Sequence, residues 1–278
     1  MRRLNADPAR YEEQSLTPKP DSKQGPQPLS LGASNPWSKQ YWLLLQLQYA
    51  DYRGNAPFLL LFGLVMPLGL FWLLQSYVEL NETATWLIAG NLVMSVSYGS
   101  VNFAIQRIAI MKMAGEMDFY GSLPIGKSSF ITALFTLGLF STVPGVISNI
   151  LIGWLAIGLP LQVLLWSLPL TLLTAACLTV IGASVGSLVK SMGQLNLYFY
   201  LSYVIVTFLC PVIVPQEKLP WIFKFTSYVL PPGQAAIALT DALSSDYGSR
   251  FWIMVAALFA WLILAITVGL RKLDWRKD

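Results

Sequence analysis

Gly121 to Ser128 spell G-x-x-x-x-G-K-S, the pattern in which backbone amides and a lysine cradle nucleotide phosphates. Just upstream, Glu116 and Asp118 are a close pair of carboxylates ahead of an apolar block, the kind of pair acid–base chemistry uses. Both readings need a scaffold. A phosphate cradle needs a buried strand before the first glycine and a sheet to hold it. The preceding MKMAGEMDFY instead has helical periodicity, with charges at Lys112, Glu116 and Asp118. The motif is therefore expected to be accidental, with Lys127 anchoring a helix end and Ser128 capping its first turn. The chain has no histidine, which removes the commonest general base and a common metal ligand. Its two cysteines, Cys177 and Cys210, each fall inside an apolar block and read as buried small hydrophobes. No catalytic, cofactor or metal residue is expected on the chain.

The elements that must position these residues follow from composition. Of 278 residues, 55% are hydrophobic and 12% charged. Soluble domains carry about 25% charged residues, so charge is roughly halved. It is missing from long blocks at about 57–78, 85–106, 130–155, 163–187, 195–215 and 251–270. Each is long enough to cross about 30 Å of hydrocarbon as a helix, where backbone groups must be satisfied internally. The expected fold class is an all-α integral membrane protein with six transmembrane helices.

Lysine and arginine crowd the segment before the first block, the 107–129 loop, the loop at Lys190 and the tail from Arg271. Only Lys218, Lys224 and Arg250 fall on the other side. The positive-inside rule then places both termini and the 107–129 loop in the cytoplasm. The net charge of +4 is topological, and no nucleic-acid partner is expected.

Two units are expected: a disordered cytoplasmic tail over 1–34, rich in Pro, Gln and Ser, and a six-span transmembrane body over 35–278. Asn35-Pro36 fits a helix start. The helix that follows, with Trp37, Tyr41, Leu44, Leu45, Tyr49 and Tyr52 on one broad face, is expected to lie in the headgroup layer in contact with membrane lipid. The alternative is an early extension of the first span.

In the second block Asn91, Ser95, Tyr98 and Asn102 recur at i, i+4, i+7 and i+11, which makes one helical stripe. The fifth block repeats it with Asn196, Tyr200, Tyr203 and Thr207. Uncharged polar stripes in a membrane face protein or water. They either glue helices or line a route for an amphipathic or apolar solute. Gly182-x-x-x-Gly186 reads as close packing, and Pro144 and Pro169 as kinks inside spans. The 216–250 loop, aromatic and then broken at Pro231-Pro232-Gly233, reads as two short amphipathic or re-entrant helices.

The 107–129 loop joins a short amphipathic helix, an exposed aromatic pair Phe119-Tyr120 and a break at Leu123-Pro124. With E-M-D-F-Y-G-S-L-P-I-G-K here and L-P-P-G-Q-A-A-I-A-L-T-D-A-L before the last block, the chain resembles the permease subunits of type-2 ATP-binding-cassette exporters over about residues 35–275. The resemblance implies that Glu116, Asp118, Phe119, Tyr120, Leu123 and Pro124 form a cytoplasmic coupling helix docking on a separate ATPase subunit. ATP and Mg²⁺ would be bound by that partner, and a second copy or a paralogue would complete a homo- or heterodimer. It also implies a multi-pass protein of a bacterial plasma or inner membrane. Asp241 and Ser244-Ser245-Asp246 stand where relatives often carry a basic residue. Two rivals are a non-transporting assembly or anchoring subunit and a membrane-embedded enzyme.

Overall fold

The computed structural model describes residues 36–75, 80–122, 126–210, 214 and 218–272, with many side chains between 50 and 84 outside that description. No strand occurs among the described residues. Five helical stretches among them are long and apolar enough to cross a membrane: Thr85–Met113, Ser128–Leu155, Leu161–Gly186, Met192–Leu209 and Ser249–Thr267. This is the architecture of an all-α, multi-pass membrane protein. The expected tail over 1–34 lies outside the described residues.

Helix α1 runs unbroken from Trp37 to Gln75, 39 residues. At 1.5 Å per residue it is about 58 Å long, near twice the hydrocarbon thickness. The expected headgroup-layer helix is thus not a separate element but the first part of the helix that holds the first apolar block. Gly54 and Pro57 do not end it. An interior proline removes one hydrogen bond but need not stop a helix that is held from outside. The hold is α5 (Lys127–Leu155), along which α1 makes its main contact. Gln40, Leu44 and Gln48, at i, i+4 and i+8, form the buried face, while Trp37, Trp42 and Tyr49 point outward. The broad aromatic face is therefore split, with Leu44 in and Trp37 and Tyr49 out.

The second stretch comprises α2 (Leu80–Ser97), a π-turn over Tyr98–Asn102 and α3 (Phe103–Met113). It is the centre of the core. Around it pack α5, α7 (Leu168–Gly186) and α10 (Pro231–Leu243). The approach of α7 explains its glycines. A Cβ on Gly182 would lie 2.6 Å from the Val101 carbonyl oxygen, and one on Gly186 2.8 Å from that of Ile105. The Gly-x-x-x-Gly spacing does what close helix packing requires.

The fourth stretch is two helices, α6 (Leu161–Trp166) and α7, interrupted at Ser167. Pro169 lies inside the fourth crossing stretch, as expected, in the first turn of α7 where a missing N–H is harmless. Pro144 does lie inside α5. The fifth stretch joins α8 (Met192–Val204) to a second π-turn over Ile205–Leu209. Then come α9 (Trp221–Val229), α10 and α11 (Ser249–Lys272). The helix break expected at Pro-Pro-Gly falls at Leu230, which is extended at φ −86°, ψ 139°.

Candidate functional site

The two polar stripes meet, but only in part. Tyr98 and Tyr203 stack with ring centroids 5.2 Å apart and planes 28° from parallel. The Tyr98 hydroxyl lies 3.4 Å from Thr207 Oγ1. Ser202 Oγ donates to Asn102 Oδ1 at 2.8 Å. Four expected pathway residues, Tyr98, Asn102, Tyr203 and Thr207, thus form one seam between the second and fifth stretches. The other four do not join it. Ser95 Oγ accepts from Asn149 Nδ2 of α5 at 3.0 Å and lies 2.8 Å from the Asn91 carbonyl oxygen, to which it donates. Asn91 and Ser95 therefore belong to a buried contact with α5. Asn196 and Tyr200 are exposed on α8.

The π-turn at Tyr98 bears on the second-stretch half of this division. A π-turn carries an extra residue in its hydrogen-bonded ring, so residues before and after it no longer share one face. Ser97, Ser202 and Asn149 were not singled out by the sequence reading. Ser97 and Ser202 lie off the stripes by one residue and carry no signal of their own. Asn149, an amide inside a charge-free apolar helix, was itself the signal, because such a group needs a partner.

Ser97, Val101 and Val206 complete a shallow cleft along the seam, with room for about one water molecule. None of its lining residues is charged. Ser97 Oγ is buried and makes no hydrogen bond among the described residues.

A second assembly lies at the other end of the body. Trp261 Nε1 of α11 donates to the Val229 carbonyl at 2.9 Å, and Arg250 forms a bidentate ion pair with the buried Asp241, its Nε at 3.0 Å from Oδ2. Along α11 these two anchors stand about 16 Å apart. Helix α10 therefore runs antiparallel beside α11, and the α9–α10 turn sits far down that helix. The backbone at the start of α10 is largely satisfied within the chain, although the buried Gln234 Oε1 has no partner among the described residues. Pro231 and Pro232 have no N–H to satisfy, and Cys210 sulfur faces the Gly233 amide. Gln234 Nε2 donates to the Tyr228 carbonyl at 2.8 Å. The cation beside Asp241 is thus supplied from α11 by Arg250.

Beyond the end of α3 at Met113, Gly115 turns the chain at φ +74° into α4 (Glu116–Ser122). Phe119 is 59% exposed, whereas Tyr120 is 6% exposed, with its ring 5.2 Å from Phe130. The expected exposed pair is thus one exposed ring and one buried ring. Adjacent helix residues point about 100° apart, so only one can face out from so short a helix. Glu116 pairs with Arg107 at 3.6 Å, and Asp118 is exposed. Leu123 and Pro124 lie outside the described residues. Lys112 Nζ donates to the Ser187 carbonyl at 2.5 Å, a cation at the C-terminus of α7 where the helix dipole favours it.

Helix precedes and follows the G-x-x-x-x-G-K-S motif: Gly121 and Ser122 close α4, and α5 begins at Lys127. Ser128 does not cap α5, contrary to expectation; it accepts from Trp37 Nε1 at 3.3 Å. The start of α5 is held from α1, where Gln40 Oε1 accepts the Gly126 N–H at 2.9 Å. Among the described residues no group of three or more His, Cys, Asp or Glu could hold a metal.

No protein-family model matches the chain, and no curated protein or solved structure is significantly similar to it.

Proposed function

We propose that the chain is the membrane subunit of an ATP-driven exporter of the type-2 ATP-binding-cassette kind. A separate cytoplasmic ATPase subunit binds ATP and Mg²⁺, and a second copy or a paralogue completes the assembly. Both termini and α4 face the cytoplasm of a bacterial inner membrane, as the lysine and arginine distribution implies. The substrate is amphipathic or apolar, because the lining of the seam carries no charge.

The observation that carries the reading is Phe119. A large apolar ring more than half exposed on a seven-residue helix is the form an anchor for a partner groove takes. The helix is braced for such a role. Arg107 holds Glu116, Tyr120 packs on Phe130, and Lys112 ties α3 to the end of α7. A push on α4 then moves helices rather than bending a loop.

The test separates the two rings. Phe119→Ala should leave thermal unfolding of the purified chain unchanged and weaken capture of the cognate ATPase about thirtyfold, the scale of a lost 2 kcal/mol anchor. Tyr120→Ala should lower stability by about 3 kcal/mol, as for a buried aromatic. Undiminished ATPase capture by Phe119→Ala would sink the docking role and the exporter reading with it.

A further inference from the structure

Helix α9 is amphipathic in the sense opposite to that of a helix facing water. Trp221, Ile222, Phe225, Tyr228 and Val229 fall within about 120° of its circumference, and all are exposed, Trp221 to 76% and Phe225 to 66%. Its hydroxyls turn inward. Ser227 is buried against α10, where a Cβ on Gly233 would lie 2.4 Å from Ser227 Cα. Thr226 Oγ1 donates to the Leu209 carbonyl at the end of the fifth stretch. A helix on a wet surface buries its apolar stripe, so this one is built for an apolar surrounding. Helix α11 gives the depth of that face. Its crossing segment, Ser249–Thr267, has 19 residues, about 28 Å of the roughly 30 Å of hydrocarbon. Trp261 stands about 18 Å along it from Ser249. Its Nε1 meets the Val229 carbonyl, so even with the indole leaning back toward the helix start, Val229 lies roughly 8 Å or more inside the hydrocarbon.

One charge stands at the edge of this face. Lys224 is one step of about 100° round the helix from Phe225 and five residues before Val229. It is therefore at most about 8 Å from Val229 along the axis, and its Cα stays at or below the hydrocarbon edge even if α9 stands upright. Lys224 makes no ion pair among the described residues. The carboxylates at this end are engaged elsewhere: Asp241 holds Arg250, and Asp246 Oδ1 accepts the Gly248 N–H. An unpaired ammonium at that depth extends its stem to the interface and draws an anion toward itself. We propose that α9 is a lipid-binding surface. Its aromatic face seats among the acyl chains of the leaflet at the Arg250 end of the body, and Lys224 takes the phosphate of one of those lipids. Lys218, exposed six residues earlier, adds a second cation, so a net-anionic headgroup is held better than a zwitterionic one. The contact needs no ATPase and stands apart from the exporter reading.

The test uses the whole chain in lipid nanodiscs. One probe is phosphatidylglycerol carrying a diazirine next to its headgroup; the other is a diacylglycerol with the same diazirine and no phosphate. After irradiation, peptide mass spectrometry should find phosphatidylglycerol on residues 218–230 at least about fivefold more than the diacylglycerol, the effect of one lysine on an anionic headgroup. Lys224→Gln should lower that labelling about fivefold, and Lys224→Arg should keep it. Lys39→Gln, on α1, should leave it unchanged. Because Lys224 holds no ion pair in the chain, Lys224→Gln should unfold in detergent as wild type does. Equal labelling by the two probes, or full labelling of Lys224→Gln, would overturn the proposal. The competing occupant of the face is a second copy of the chain. Unlabelled 218–230 together with disulfide-linked dimers of Phe225→Cys would overturn the proposal in favour of that copy.

Discussion

The second and fifth stretches carry nearly the same sequence device and have opposite fates. Each has a polar–aromatic stripe, and each contains a π-turn where the two come together. Yet 83% of the apolar window in Thr85–Met113 is buried within the chain, against 11% of that in Met192–Leu209. Neighbours account for the difference: α5, α7 and α10 surround the second stretch, whereas α8 touches the body mainly through α3 and the seam. Periodicity therefore tells which residues share a face. It does not tell what that face meets.

The largest test concerns α10, the helix that covers the second stretch and has no counterpart over the fifth. Arg250→Ala would leave Asp241 buried and without its cation, which should cost about 3–5 kcal/mol in detergent unfolding. Asp241→Asn leaves the half-exposed arginine to water and should cost only about 1–2 kcal/mol. The reverse order would mean that the pair does not clamp α10.

A glycine in each stretch's surroundings gives changes of opposite sign. Gly182→Ala drives a methyl into the Val101 carbonyl and should destabilise by about 1–3 kcal/mol. Gly193→Ala on α8 finds only Ser191 Oγ at 3.9 Å and should stabilise the helix by about 0.5 kcal/mol. Equal effects would erase the packing contrast between the two stretches.

The smallest effect is at their contact. A double-mutant cycle of Tyr98→Leu and Tyr203→Leu should return a coupling of about 0.5–1.5 kcal/mol for the stacked pair. Zero coupling would detach α8 from the body energetically as well as by burial.

How much of this was legible follows from the same contrast. Charge-free blocks located the crossing stretches, because lipid demands apolar length whatever the neighbours are. Gly182 and Gly186 announced close packing, and Pro231-Pro232-Gly233 announced a helix start, since both depend on the backbone of the residues themselves. The π-turns left no trace, because a wide turn is set by partners on other helices. The continuity of α1 was hidden for the same reason: Gly54 and Pro57 weaken a helix locally, and only α5 holds it together. Gln40 looked like one more polar residue on a mixed face. It meets the start of α5 from 86 positions away, which no local pattern can encode.

Helix α10 begins with two residues that have nothing to donate. Most helices carry a small retinue of water molecules at their first turn, and any motion into oil must first dismiss it. Here there is almost none to dismiss. Sliding the α9–α10 turn along α11 would have to break both anchors, the Trp261–Val229 hydrogen bond at the turn and the Arg250 clasp at the far end.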